Sequence, residues 1–425
     1  MSRPHPDRAS QPADPAHEVS AAAAPTHVTP PAIPAELWVM VGAAFVIAIG
    51  FGLIAPVLPQ FARSFDVSVT LTTVVVSAFA MTRLAFAPAG GALVNRFGER
   101  PIYVIGVIIV AVSTLMVATA DAYWQLLVYR AFGGIGSVMF TVSAAGLIVR
   151  LAPPSMRGRI SSYYGGAFLI GNVVGPLVGG VLAEIGLWVP FVAYGIALLI
   201  AAAIVGIFLT GTTLRRDPGT PEAVAMTVRE AYRDSAYRSV LRSGFANGWT
   251  NLGVRVGILP LFAASIATQS WVAGAALTAF ALGNASILPL SGRLADRIGR
   301  KRPMMLGLAI AGALTAVLGF AGNVPLLLAL CALAGLGSGL FNPAAQATLA
   351  DVIGPERAGG KVLASYQMMQ DLGSIIGPVL VGLLVDATGY SWGFLLSGSM
   401  LIIACLGWIP ARESAPLIAA RGDGE

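Results

Sequence analysis

Apolar blocks about 20 residues long alternate along the chain with short polar breaks rich in Gly, Pro and Arg. An α-helix rising 1.5 Å per residue needs about 20 such residues to cross a bilayer core of roughly 30 Å. The pattern therefore predicts twelve membrane spans. They fall at about 37–59, 70–93, 102–120, 123–149, 160–183, 188–210, 243–263, 271–292, 303–322, 324–349, 362–385 and 390–409. Met1 to Pro34 mixes Pro, Ala, Ser, His and charges with no apolar period, which predicts a disordered tail without the continuous apolar stretch of a secretory signal. The predicted organisation is a tail over 1–34, a six-helix half over 35–211, a linker over 212–242, a second six-helix half over 243–410 and a tail over 411–425. Within the linker, Glu222 to Leu241 is predicted to form a short helix on the membrane surface.

Composition agrees with this pattern. Of 425 residues 56% are hydrophobic and only 11% charged, with a mean hydropathy of +0.79. An ordinary soluble domain carries roughly 25% charged residues, so a water-soluble enzyme is disfavoured. The net charge of +6 does not signal nucleic acid. With the N-terminus placed in the cytoplasm, 22 of the 26 Lys and Arg residues fall in inside-facing segments, Arg63 alone falls outside, and Arg83, Arg130 and Arg255 lie within spans. This is the positive-inside bias, and it predicts a cytoplasmic-membrane protein with both termini in the cytoplasm.

The two cysteines, Cys331 and Cys405, lie in apolar blocks, and His5, His17 and His27 lie in the N-terminal tail. No metal-ligand cluster, nucleophile–His arrangement or phosphate-cradling loop is present, so no cofactor, metal or enzymatic activity is expected. Any proton carrier inside the membrane has to be a carboxylate or a weaker group.

An internal repeat organises the chain. Gly91-Ala-Leu-Val-Asn95-Arg96-Phe-Gly98 returns as Gly292-Arg-Leu-Ala-Asp296-Arg297-Ile-Gly299, 201 residues later. Gly171-Asn-Val-Val-Gly175-Pro176-Leu-Val-Gly179-Gly180 returns in part, through Gly377 and Pro378, at an offset of 202, and Glu184 and Asp386 keep that offset. The two six-span halves therefore share one design.

These features resemble the major facilitator superfamily, and the resemblance spans about Glu36 to Pro410. It implies an all-α integral membrane protein with twelve transmembrane helices in two six-helix repeats, binding substrate near the midplane and working by alternating access. The loops after spans 2 and 8 are similar to the family's G-x-x-x-D-R-x-G-R-[RK] signature. The second copy is complete, with Gly292, Asp296, Arg297, Gly299, Arg300 and Lys301. The first has Gly91, Arg96, Gly98 and Arg100 but Asn95 in place of the acid and Glu99 in place of an arginine. The resemblance gives the acid a partner in the positive end of a neighbouring helix, a role that uncharged Asn95 fills less well. Gly171 to Gly180 matches a motif that the family ties to drug:proton antiporters. Its glycine spacing makes a groove for close helix approach, and the partial copy in span 11 leaves simple packing open as an alternative. Span 4 carries Arg130, whose surroundings are similar to an exporter motif. Its guanidinium is expected to face the cavity, with snorkelling to the surface as the alternative.

Asp371 is the one carboxylate well within a span. With Gln367, Gln370 and Ser374 it follows helical spacing on one face. Arg83 in span 2 lies at a matching depth, and the resemblance makes spans 2 and 11 neighbours. The expectation is an Arg83–Asp371 pair, either a proton-released gate or a permanent structural contact. Polar stripes mark three further spans: Arg130, Ser137 and Thr141; Asn247, Asn251 and Arg255; Ser338, Asn342 and Gln346. Residues of this kind on apolar helices point away from lipid, either into a cavity or onto another helix. Three buried arginines against one aspartate weakly favour an anionic or zwitterionic amphiphile over a bare cation.

The expected function is secondary active, proton-coupled export of small amphipathic molecules. The alternatives are a facilitator or symporter of a polar metabolite and a receptor that keeps the fold without transport. The expected partners are a small-molecule substrate, protons and the bilayer, with no nucleic acid, and the chain is expected to act as a monomer.

Overall fold

The computed structural model describes residues 35–151, 157–209, 225–354 and 357–415. The tail before residue 35 with its histidines, the first part of the linker and residues 416–425 lie outside the described residues. Among the described residues, ten helices are long and apolar enough to cross a membrane, from the helix pair within Glu36–Arg63 to Gly360–Thr388. Ser235–Gly257 and Leu259–Ile266 meet at a 41° bend and together make a further span, span 7. The chain bends where Pro260 enters the first turn of the second piece, because proline supplies no N–H to continue the hydrogen-bond ladder. Tyr390–Leu406, at 17 residues, is the short twelfth span. No strand occurs among the described residues.

Span ends follow local chemistry. Ser68 caps span 2 (Val69–Phe97) by accepting from the Leu71 N–H at 3.2 Å, and Asn323 caps span 10 (Val324–Ile353) by accepting from Leu326 at 2.9 Å. Gly98 and Gly299, at φ of 87° and 88°, reverse the chain after spans 2 and 8 in a conformation that L side chains rarely adopt.

The linker departs from the predicted surface helix over Glu222 to Leu241. Its described part holds a four-residue helix, Val228–Ala231, and then Asp234 caps the helix starting at Ser235. That helix runs on into the membrane as span 7, because Ala236, Tyr237, Val240 and Leu241 are buried and pack on spans 10 and 11. The C-terminal residues up to Ala415 are likewise packed against the bundle. Arg412 pairs with Asp234, and Glu413 accepts the Arg300 N–H at 2.7 Å.

The main hydrophobic core of the first half lies between Met40 and Leu209, beside two small clusters at Leu37 and Ile160 and at Val94, Ile102 and Met139. The second half has two main cores. The core at the end bearing the Arg-rich turns, hereafter the basic end, includes Ala231, Ala295 and Val352. The core at the opposite end takes in Ala55 and Val69 from the first half. The halves are thus joined by apolar packing at the opposite end.

Candidate functional site

Span 7 does not stay α-helical through the membrane. Gly248–Val254 forms a π-helix, and Arg255 follows directly. Asn247, Asn251 and Arg255 form a hydrogen-bonded file. Arg255 Nε donates to Asn251 Oδ1 at 3.2 Å, and Asn251 Nδ2 donates to Asn247 Oδ1 at 2.7 Å and to Ser338 Oγ of span 10 at 3.1 Å. Arg255 is 4% exposed. Its guanidinium carbon lies 3.6 Å from the Phe280 ring centroid, Nη2 reaches Thr315 Oγ1 at 3.5 Å, and Nη1 has no partner.

Asn247, Asn251, Arg255, Phe280 and Ser338 line a cavity of about 480 Å³ between the halves, together with Asn284, Asn342 and Gln346. A second cavity of about 500 Å³ lies mostly within the first half, lined by Arg83, Ser137 and Thr141 and by aromatic residues. The two share Phe51, Asn172 and Leu252 in their walls. Volumes of this size suit a drug-sized ligand.

Other candidate residues stand elsewhere. Gln367 is exposed and donates to Asp371 Oδ1 at 3.1 Å, whereas its neighbour Gln370 lines the first cavity. Arg83 and Asp371 lie within electrostatic reach but form no ion pair in this conformation. Arg130 stacks 4.6 Å from the Phe79 ring centroid in a narrow pocket of about 30 Å³ instead of opening into either main cavity. Asn172 and Asn284 are cavity residues that the stripe pattern did not single out. Asn172 was hidden inside a glycine motif, and Asn284 stands alone on span 8.

The two copies of the signature loop differ as their sequences do. In the second, Arg300 bridges Asp296 and Asp351. Glu413, and not Asp296, meets the start of span 9 (Lys301–Leu318) by accepting from the Arg300 and Lys301 N–H groups. Lys301 Nζ adds bonds to the Ile409 and Ala411 carbonyls. In the first copy Arg100 donates to the Gly206 carbonyl at 2.6 Å, Arg96 lies over Phe97, and Asn95 is exposed.

The glycine motif has two faces. A Cβ on Gly171, Gly175 or Gly179 of span 5 would collide with the span 1 backbone; at Gly175 it would stand 2.5 Å from the Ile49 carbonyl oxygen. In span 11, Gly373 and Gly377 pack in the same way on Phe245 and Trp249 of span 7, and Pro378 packs on Gly253. The last glycines face the other half instead: Gly180 meets Trp271 and Gly274, and Gly382 meets Thr70 and Thr73. Beside them Asp386 accepts the Val69 and Thr70 N–H groups at 3.0 and 2.9 Å, and Glu184 accepts the Trp271 N–H at 3.2 Å. Each acid thereby sits at the positive start of a helix in the opposite half. Deeper in, Ser77 Oγ donates to the Ile375 carbonyl and Thr278 Oγ1 to the Val173 carbonyl.

The side-chain contacts between the halves keep the repeat offsets: Ser77 and Thr278 are 201 apart, Val173 and Ile375 are 202 apart, and Glu184 and Asp386 are 202 apart. The seam between the halves is therefore two-fold pseudo-symmetric. Among the described residues, none of the hydrogen bonds between the halves lies nearer the basic end than midspan. The cavities are sealed at the opposite end, and exposed Gln346 lines the first one seven residues from the basic end of span 10.

The sequence matches the Major Facilitator Superfamily profile over residues 40–273 and 248–423. The chain belongs to this superfamily. Multidrug resistance protein 2 of Bacillus subtilis (strain 168) is 26% identical over 384 residues, covering 84% of this chain and 90% of that protein. The class H tetracycline resistance protein of Pasteurella multocida is 28% identical over 376 residues, covering 82% and 88%. The crystal structure of a bacterial homolog of the human lysosomal transporter Spinster, inward-facing and unoccupied, superposes with a TM-score of 0.75 at 17% identity, covering 88% of this chain and 95% of that one. The chain is a multi-pass membrane protein with the superfamily fold.

Proposed function

We propose that this chain is a proton-coupled exporter of small amphipathic molecules in the cytoplasmic membrane, with both termini cytoplasmic, acting as a monomer by alternating access. The observation that bears most weight is the cavity between the halves. It combines polar side chains from spans 7, 8 and 10 with an apolar wall, and a symmetric seam closes it at one end. With the Arg-rich turns inside, this conformation receives substrate from the cytoplasm. The multidrug and tetracycline resistance names of the relatives support export as the direction. Asp371 is the coupling carboxylate in this reading. Protonation removes the charge that Arg83 faces across spans 2 and 11 and lets the halves rock.

The test is flux of a fluorescent amphiphile in reconstituted vesicles under an imposed pH gradient. Accumulation is expected to depend on the gradient, to vanish when the gradient is collapsed, and to vanish in Asp371→Asn. Gradient-driven accumulation that survives the substitution would remove Asp371 from the coupling role. Equilibration that ignores the gradient would replace the exporter with a facilitator.

A further inference from the structure

We propose that the cavity at Arg255 is an anion site, and that the exporter's substrates are amphiphiles with a carboxylate-type head group; this rests on the export reading above. Arginine stays protonated in proteins, so burial does not relieve its charge by proton loss. A guanidinium taken out of water is costly unless it is paired and fully hydrogen-bonded. Arg255 meets neither condition. Its polar contacts, Asn251 and Thr315, are neutral, Phe280 covers one side, and Nη1 is left without a partner.

Carboxylates are missing where they would be needed. Neither main cavity has an Asp or Glu in its wall. Arg83, the cation of the second cavity, has Asp371 within electrostatic reach, but Arg255 forms no ion pair among the described residues. The missing counter-charge is what a ligand head group supplies. The π-helix sets this arrangement up, since it is sealed on its back by Gly248 against the Gln370 carbonyl and by Gly253 against Pro378. Asn284 and Asn342 stand in the same wall to meet the remaining oxygens of the head group. Phe51 and Leu252 lead from there into the second cavity, where Phe79, Phe140 and Phe168 receive an apolar body.

The test is calorimetric binding of three probes to the purified full-length chain: naphthyl-butyrate, the neutral naphthyl-butanamide and the cationic naphthyl-butylammonium. Hydrogen bonds to a charged partner correspond to a preference of about tenfold or more, so the carboxylate is expected to bind at least that much more tightly than the amide, and the ammonium most weakly. Arg255→Gln is expected to bring the carboxylate down to the amide's affinity and leave the amide unchanged. Asn251→Asp, a near-isosteric change that puts a carboxylate at the Arg255 Nε, is expected to do the same without removing the guanidinium.

Tighter binding of the amide or ammonium by the unmodified chain, or no carboxylate binding at millimolar concentration, overturns the proposal without any variant. A carboxylate preference that persists in both variants overturns its assignment to Arg255. Vesicle flux of the same probes separates the two readings. Gradient-driven flux of the ammonium but not the carboxylate sinks the anion site and leaves export standing. Carboxylate binding without flux keeps the anion site and sinks export.

Discussion

At Gly248 an added methyl carbon would lie 2.0 Å from the Gln370 carbonyl oxygen, a backbone atom that cannot swing away. Gly248→Ala is therefore expected to force span 7 from span 11 and destabilise the protein by about 1–3 kcal/mol, the usual cost of overpacking. A thermal-melting series in detergent checks this, with Gly91→Ala as control because nothing lies within 4 Å of its Cβ position. Equal melting temperatures would contradict the packing described. Single residues were unevenly legible in the sequence. Arg255 with Asn251 and Asn247 could be read from spacing alone, because a charge among apolar residues has few tolerable places. Asn172 and Asn284 could not, since an isolated amide has no period. Glu413 was placed in a tail because its role depends on the chain folding back to the start of span 9.

Between neighbouring elements, Asp234 fastens the start of span 7 to the segment after span 12. Burial alone would push its carboxyl upward, but the bonds from Arg412 and from the Ala236 N–H outweigh that and hold it below the ordinary range. A carboxyl lowered by folding contributes stability above its unfolded value, near pH 4, and that stability is lost as pH falls through the folded value. The melting temperature should thus drop below about pH 4 more steeply in the unmodified chain than in Asp234→Asn; parallel curves would show that the pair contributes nothing. At the opposite end, Glu184 and Asp386 each face a helix start, worth about 0.3–1 kcal/mol apiece. Glu184→Gln with Asp386→Asn should raise labelling of Ala55→Cys by an impermeant thiol reagent from that side by several-fold, up to about tenfold. Unchanged labelling would show that these acids do not hold the seam. The 201–202 offset announced the symmetric seam. The π-helix was not legible in the sequence: its glycines, Gly248 and Gly253, meet Gln370 and Pro378 of span 11, a tertiary contact that spacing along the chain does not reveal.

For the molecule as a whole, the repeat and the positive-inside bias made the two-half architecture readable from the chain. The conformational state was not readable, because the same residues must support both openings and only their contacts distinguish them. Here the seam is closed at the opposite end and the cavity belongs to the basic end. The account's central claim is that these two ends open in alternation. Paired spin labels on spans 2 and 11 test it most directly: Leu71→Cys with Leu383→Cys at the opposite end, and Phe97→Cys with Leu363→Cys at the basic end. All four positions are exposed, and the native Cys331 and Cys405 are buried. When vesicles are moved from neutral to acidic pH on both sides, the two distances should change in opposite senses, one lengthening as the other shortens. Distances that stay fixed, or that change in the same direction, would contradict alternating access.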